Sequence, residues 1–223
     1  MESKKIAVIL LGPPGSGKTT QAQRLSEEFG LIHFNTGEVI KDTINDPANK
    51  NNPKMQHEKE LYESGILNSD DWVTDLVIRE TEKIENSGKG VVFSGSPRRL
   101  MEAEGLFPSL DEFYGRKNVF VFYVPLNFED ALKRIRERRI CFVCGFPLLA
   151  NDSSEFCPKC GGKIIMRTLD NPEKLKLRFE EYHKKTEPIL KYLESTGVRV
   201  DEVRGEGSPD EIHKKMVDII ISK

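Results

Sequence analysis

The sequence has no long apolar run and almost no net charge. Its N-terminal apolar stretch, residues 6–11, is six residues long before glycine and proline interrupt it, which is too short for a signal-peptide core or a membrane span. Lys and Arg total 34 against 36 Asp and Glu, a formal net charge of -2. Bulk charge therefore gives no reason to expect binding to nucleic acid or to an acidic membrane surface. These absences favour a cytoplasmic protein whose anion sites, if any, are local.

Cysteine is also scarce, with four in 223 residues, and all four fall in two CxxCG pairs separated by twelve residues. The pairs are Cys141 with Cys144 and Cys157 with Cys160, a spacing typical of a tetrahedral four-sulfur zinc ribbon. With no vacant ligand position, one Zn²⁺ per chain would be structural and would supply folding energy that a short insert lacks. A disulfide pair or a redox centre would use the same residues, but the missing export signal favours metal. Iron fits the same geometry.

The apolar segments alternate between two lengths, those of strands and those of helices. Short apolar runs predict strands at 6–11, 31–34, 91–93, 119–124 and 198–203. Helical spacing and caps predict helices at 18–29, 36–44, 55–64, from 69 towards 88, at 101–110, from 127, as one long helix from 171 through 193, and from 208. This alternation predicts an α/β fold with a mostly parallel, doubly wound sheet covered on both faces.

A phosphate-binding motif joins the first predicted strand to the first predicted helix. Residues 12–19, GPPGSGKT, fit GxxxxGK[ST] in the strand–turn–helix context that this motif requires. Glycine lets backbone N–H groups point inward, the helix N-terminus adds partial positive charge, and the lysine reaches the outer phosphates. Thr19, or Thr20 beside it, would place a hydroxyl on Mg²⁺. The predicted ATP-binding residues of this segment are Gly12, Gly15, Ser16, Gly17, Lys18, Thr19 and Thr20.

Further motifs, in order along the chain, resemble those of the adenylate kinase family. Gln-Ala follows the phosphate loop at 21–22, and residues 35–41, NTGEVIK, are similar to S-T-G-[DE]-x-x-R. Residues 94–98, SGSPR, are similar to D-G-F-P-R, and residues 134–139, RIRERR, are similar to R-x-x-x-R-R. Arg167 and Arg178 fall where the family's lid and its exit helix carry arginines. The resemblance extends over nearly the whole chain.

The resemblance implies a P-loop NTPase-type core with two insertions. The expected core covers 1–34, 88–139 and 168–223, a helical monophosphate-binding region covers 35–87, and a zinc-binding lid covers 140–167. Zinc-bearing lids occur in this family, so the resemblance agrees with the local chemistry of the cysteines.

The activity that the resemblance implies is reversible phosphoryl transfer from ATP, with Mg²⁺, to a nucleoside monophosphate, AMP first, by a monomeric kinase. An arginine aimed at the moving charge can be worth ~10³ to 10⁵ in rate, and arginines four apart share one face of a helix. The implied catalytic residues are Lys18, Arg98, Arg138, Arg167 and Arg178, with Arg134 and Arg138 on ATP. The implied monophosphate-binding residues are Thr36, Gly37, Lys41, Asn68, Gly95, Arg98, Glu102, Arg167 and Arg178.

Several positions depart from the family pattern. Ser94 replaces the aspartate that holds water around magnesium, a loss that could cost ~10 to 100-fold, unless Glu38 compensates. Lys41 replaces an arginine on the acceptor phosphate and loses its two-pronged grip. Ser96 replaces a phenylalanine.

Glu102 falls where the family places a glutamine on the acceptor base. An ionised carboxylate can only accept hydrogen bonds, so adenine N1 would stay unpaired at a cost of ~1 to 3 kcal/mol, whereas guanine offers donors at N1 and N2. Asn68 also sits where an apolar residue would touch the base. Alternatively, Glu102 faces solvent on a short helix, as acidic residues usually do.

Three other interpretations stay open at this point. The acceptor could be GMP or a pyrimidine monophosphate. The chain could be a zinc-ribbon binding module that senses nucleotide, although near-neutral charge and few aromatics around the knuckles disfavour this. It could also be a different P-loop small-molecule kinase, against which the arginine set argues.

Overall fold

The computed structural model describes residues 4–64, 68–136, 139–148, 152–166, 172–204 and 207–222. Its strands are β1 (Ala7–Leu11), β2 (Ile32–Phe34), β3 (Val91–Phe93), β4 (Val119–Tyr123), β5 (Arg139–Cys141), β6 (Pro147–Leu148), β7 (Ile164–Met166) and β8 (Val200–Glu202). Its helices are α1 (Lys18–Phe29), α2 (Thr36–Asn45), α3 (Pro53–Glu63), α4 (Asp70–Asn86), α5 (Leu100–Tyr114), α6 (Phe128–Arg136), α7 (Pro172–Glu181), α8 (Pro188–Ser195) and α9 (Pro209–Ile221).

Five strands form a parallel sheet in the order β2-β3-β1-β4-β8. The central strand β1 is buried along its whole length, and its side chains alternate between two apolar layers. Ala7, Ile9 and Leu11 pack with α4, α5 and α8, whereas Val8 and Leu10 pack with α1 and α9. The predicted doubly wound α/β fold is therefore confirmed, and the carboxyl ends of β1, β2 and β3 meet at one edge of the sheet.

Two predicted helices differ from the observed ones. The helix predicted at 101–110 continues to Tyr114, because Leu110 and Tyr114 extend its apolar stripe into the core around an internal Pro108. The prediction of one long helix from 171 through 193 is wrong. A π-helical turn at Tyr182–Thr186 separates α7 from α8, and Pro188 has no N–H with which to continue the α-helical pairing.

The two insertions have small cores of their own. Ile40, Ile44, Met55, Trp72 and Leu76 join α2, α3 and α4. Strands β6, β5 and β7 form a separate antiparallel sheet that carries the cysteines. Among the described residues, none of the helices combines the length and the apolar character that crossing a membrane requires.

Candidate active site

The phosphate loop, residues 12–17, connects the carboxyl end of β1 to the N-terminus of α1. Gly12 has φ +148, and a Cβ there would lie 2.4 Å from the Val124 carbonyl oxygen, so a larger residue would displace β1 from the chain beside it. Gly17, the residue that caps α1, has φ +93 in the left-handed region. Because the cap has no side-chain bond and the first turn has no acidic residue, the N–H groups of this turn suit an anion.

Lys18 folds back over the loop that precedes it. Its Nζ lies 2.7 Å from the Gly12 carbonyl oxygen, 2.7 Å from that of Pro13 and 3.2 Å from the hydroxyl of the buried Ser16. The ammonium group thus stands at the centre of the loop. Gly15 belongs to the same loop, while Thr19 and Thr20 lie half-buried in the first turn of α1. The structure brings all the predicted residues of this segment together.

Ser94 stands at the end of β3, beside the end of β2. Its Oγ lies 2.7 Å from Nε2 of His33, which is half-buried. Burial, with a smaller effect from the positive charge of Lys159 in the lid, lowers the pKa of His33 to about 4. A neutral imidazole nitrogen can accept the serine proton, so the position where the family carries aspartate holds a neutral His33–Ser94 pair. No motif predicts this pair, because its members lie 61 positions apart.

Three residues of the predicted acceptor site, Thr36, Gly95 and Arg98, lie together with Ser96. The hydroxyls of Thr36 and Ser96, both buried, are 2.6 Å apart. Arg98 donates from Nε to the Gly95 carbonyl at 2.8 Å. A Cβ at Gly95 would lie 3.4 Å from Arg98 Nη2 and 3.6 Å from Thr36 Oγ1, so the guanidinium lies beside the first residue of α2.

Glu102 is buried, with 6% of its surface exposed, so the alternative that it faces solvent is wrong. One carboxylate oxygen, Oε2, accepts the backbone N–H of Arg98 at 2.7 Å. The other, Oε1, is buried without a hydrogen-bond partner among the described residues. Burial raises the pKa of Glu102, although the Ser96 hydroxyl, the Arg98 N–H and the nearby arginines favour the ionised form. The carboxyl group therefore ties the backbone just before α5 to its own helix.

Asn68 and Lys41 stand apart from this cluster in their contacts. Asn68 is buried, and its amide donates to the backbone carbonyl of Glu58 at 2.8 Å and to its carboxylate at 2.9 Å. Both of these bonds come from the amide nitrogen and tie Asn68 to α3. Lys41 is exposed on α2, and Gly37 lies in the first turn of that helix.

Two of the predicted donor-side arginines lie on neighbouring helices. Arg134 is on α6 and Arg178 on α7, both half-buried, and each precedes a residue of the small core that joins these helices. In that core the rings of Phe128 and Phe179 meet edge to face at 5.3 Å. Arg138 and Arg167 lie outside the described residues.

The four cysteine sulfurs lie within 4.8 Å of one another. Cys141 Sγ is 3.5 Å from that of Cys160, and Cys144 Sγ is 3.6 Å from Cys157 and 3.3 Å from Cys160. A disulfide needs about 2.05 Å, whereas sulfurs at the corners of a tetrahedral zinc site with bonds of about 2.3 Å stand about 3.8 Å apart. The arrangement fits a four-sulfur metal site.

The lid lies over the site rather than away from it. A Cβ at Gly145 would be 3.8 Å from the carboxylate of Glu38 on α2, so the first knuckle contacts the predicted monophosphate-binding region. A cavity of about 590 Å³ lies between the lid and the core beside the phosphate loop. Its lining includes Thr20, Gln23 and Arg24 of α1, Phe146 and Leu148 of the lid, and His213 of α9. The sequence analysis missed this cavity because no motif marks it.

Comparison with known proteins agrees with these features. A sequence model of the adenylate kinase family matches residues 10–198. An adenylate kinase of Novosphingobium aromaticivorans is 35% identical over 223 residues, covering 97% of this chain and 99% of its own. One from Caldanaerobacter subterraneus subsp. tengcongensis is 34% identical over 209 residues, covering 92% and 91%. One from Lachnospira eligens is 31% identical over 218 residues, covering 96% and 99%.

Proposed function

The chain belongs to the adenylate kinase family, and on this premise we propose that it catalyses reversible phosphoryl transfer from ATP to AMP, which gives two ADP. The observation that carries the proposal is the meeting of two phosphate sites at one edge of the sheet. The loop around Lys18 follows β1, and the cluster around Arg98 follows the neighbouring β3. A donor and an acceptor phosphate held there would face each other.

The chain's own groups would position and neutralise the phosphates. Lys18 would leave the carbonyl oxygens of its loop for the outer phosphates of ATP, since a phosphate oxygen is a stronger partner for an ammonium group. Arg98, anchored by Gly95, would hold the acceptor phosphate beside the Thr36 hydroxyl. Arg134 and Arg178, with Arg138 and Arg167, would neutralise charge on the donor side. An anionic acceptor phosphate needs no general base.

Magnesium would arrive with ATP and neutralise charge on its β- and γ-phosphates. Thr19 and Thr20 offer hydroxyl oxygens at the start of α1, which suit this cation. Ser94 Oγ, with its proton directed to His33, would present lone pairs to a metal-bound water. The chain thus has oxygen donors for the ion, although it lacks the family's aspartate.

We propose that the four cysteines hold one structural Zn²⁺. All four sulfurs would be ligands, which leaves no open position for chemistry. The metal would hold the two CxxCG knuckles of the lid together above the cavity of about 590 Å³, which we assign to the donor nucleotide. That cavity, lined by α1, α9 and the lid, has room for the nucleoside of ATP. A monomeric state, a cytoplasmic location and the boundaries of the three regions stay predictions.

A second candidate acceptor is GMP. The observation that favours it is the free, buried oxygen of Glu102, which could accept from a guanine N–H but leaves adenine N1 without a donor while the group is ionised. Adenylate stays the first choice because of the family.

The test is a coupled phosphotransfer assay with ATP and Mg²⁺ against AMP, GMP, CMP and UMP. We expect turnover with AMP above all others. A preference for GMP would assign Glu102 to the reading of guanine, and no turnover with any of the four would overturn the kinase proposal.

Two adjacent arginines provide a matched pair for the same assay. Arg99 forms an ion pair with Asp70 of α4, so its guanidinium already has an acidic partner. We expect Arg98→Ala to lower kcat/KM for AMP by ~10³ or more and Arg99→Ala to lower it far less. Equal losses would contradict the role given to Arg98.

A further inference from the structure

Hydrogen bonds from three directions hold Arg98. Its N–H donates to Glu102 Oε2 at 2.7 Å, its carbonyl accepts from Thr186 Oγ1 at 2.8 Å, and its side-chain Nε donates to the Gly95 carbonyl at 2.8 Å. We infer that Thr186 is a positioning residue for phosphoryl transfer, whose hydroxyl fixes the peptide that carries Arg98. This inference rests on the proposed function, because it concerns the arginine assigned to the acceptor phosphate.

The position of Arg98 makes such a bond necessary. It lies between the end of β3 and the start of α5, in a segment that neither the sheet ladder nor the helix holds. Glu102 holds the N–H of Arg98 and the Thr186 hydroxyl holds its carbonyl, so these bonds act on both sides of the residue. Reactions between two bound groups depend on their geometry, and a displacement of about 1 Å can cost ~10²-fold in rate.

The π-helical turn directs Thr186 towards this carbonyl. In that turn the Glu187 N–H bonds the Tyr182 carbonyl five residues earlier, at 2.9 Å. Each π turn inserts one residue relative to an α-helix, and this rotates the residues after it by about 100°. In a continuous α-helix, Thr186 would therefore point away from its present direction.

The turn is held by packing and by proline rather than by its charges. Tyr182 is buried in it, and Pro188 starts α8 directly after it. The ion pair of His183 with Glu187 is on the surface and contributes little to stability. Insertions of this kind recur at functional sites, and here the insertion serves a bond to the acceptor-site arginine.

The same broken helix also carries a predicted donor-side arginine. Arg178 lies in α7, four residues before the π turn begins. One element therefore bears a group for the donor phosphate and the hydroxyl that holds the group for the acceptor phosphate. A bond between Thr186 and Arg98 sets the two arginines relative to each other.

The test compares Thr186→Val, which keeps the shape and removes the hydroxyl, with Thr186→Ser, which keeps the hydroxyl. We expect Thr186→Val to lower kcat about threefold to tenfold, the effect of one lost neutral hydrogen bond, with KM for ATP unchanged. Thr186→Ser should restore kcat to within about twofold, since it retains the donor. If the Thr186→Val variant folds poorly, Thr186→Ala, which also lacks the hydroxyl, takes its place and should lower kcat to the same extent.

Thr196→Val is the control, because that hydroxyl bonds only the end of its own helix, at 3.0 Å to the Leu193 carbonyl. It should leave kcat unchanged. A double-mutant cycle then separates positioning from general stability. In an Arg98→Ala background, Thr186→Val should have no further effect on kcat, whereas its effect on the unfolding temperature should persist.

Two outcomes would overturn the inference alone. One is an additive loss of kcat in the Arg98→Ala background, and the other is a loss that Thr186→Ser does not restore. Absence of phosphoryl transfer by the unaltered chain would instead overturn the proposed function, and the inference with it.

Discussion

Replacing Cys157 by serine should release the proposed zinc and unfold the lid while the P-loop core stays folded. Cys157 is 4% exposed and lies in the lid core with Cys141, Leu148 and Ile164. Burying the two aliphatic side chains contributes ~1.5–3 kcal/mol each, whereas structural zinc supplies ~10–16 kcal/mol in small zinc-binding peptides. The metal is therefore the larger contribution to the lid, and the lid core is separate from the two layers on the main sheet.

Metal analysis tests whether the zinc is released, and limited proteolysis tests whether the lid unfolds. Dialysed protein should hold about one zinc per chain, and the Cys157→Ser variant should hold well under half of that, because a three-thiolate site binds more weakly. Protease should then cut the lid quickly, kcat should fall because the lid would no longer cover the proposed donor site, and thermal unfolding of the core should change little.

Two variants serve as controls for the same experiment. Cys160 is exposed, so Cys160→His has room to supply an imidazole ligand and should keep the metal. Phe156 is exposed beside Cys157, and Phe156→Ser should also keep it. Full zinc content in Cys157→Ser, or an intact lid after complete removal of metal by a chelator, would refute the reasoning.

Three further predictions concern the core. Lys18→Met should lower kcat by ~10² to 10³ in the coupled assay without changing the unfolding temperature by more than a few degrees. Because burial lowers the pKa of His33 to about 4 from 6.5, the unfolded chain binds that proton first. Stability should therefore fall by ~3 kcal/mol as pH drops from 6.5 to 4, and urea titrations should show a smaller fall in His33→Gln. Glu102→Gln keeps an acceptor for the Arg98 N–H and adds an amide donor for adenine, so KM for AMP should fall about tenfold, while Glu104→Gln on the exposed side of α5 should not change it.

Features set by neighbouring residues were predictable from the sequence. The helix 18–29 and its terminal glycine appear at those residues, with Gly30 at φ 66. The capping box at Ser208 and Glu211 is present, with bonds of 3.3 and 2.8 Å. The cysteine spacing predicted a four-sulfur cluster, and the four sulfurs do converge. Each of these rules needs only residues a few positions apart.

Features that depend on distant residues were not predictable. Helical periodicity does not distinguish an α-helix from one with a π turn, since a single inserted residue leaves Leu193 and Ile189 on an apolar face. The bond between Thr186 and Arg98 joins residues 88 apart in sequence. The burial of Glu102 follows from the bend of the chain before α5, where its carboxylate turns back to Arg98.

The residues that depart from the family pattern can be explained physically only together with the residues that they contact. Ser94 is paired with His33, Ser96 with Thr36, and Glu102 with the backbone of Arg98. In each case a replaced group has a polar neighbour that the sequence does not reveal, so each departure removes one interaction and makes another. Because the pairs lie near the carboxyl ends of β2 and β3 and the starts of α2 and α5, they share the edge of the sheet where we propose the acceptor site. A change at one of these positions therefore acts through its partner: Ser96→Phe would leave the Thr36 hydroxyl without this hydrogen bond, whereas Glu102→Gln would keep an acceptor for the Arg98 N–H.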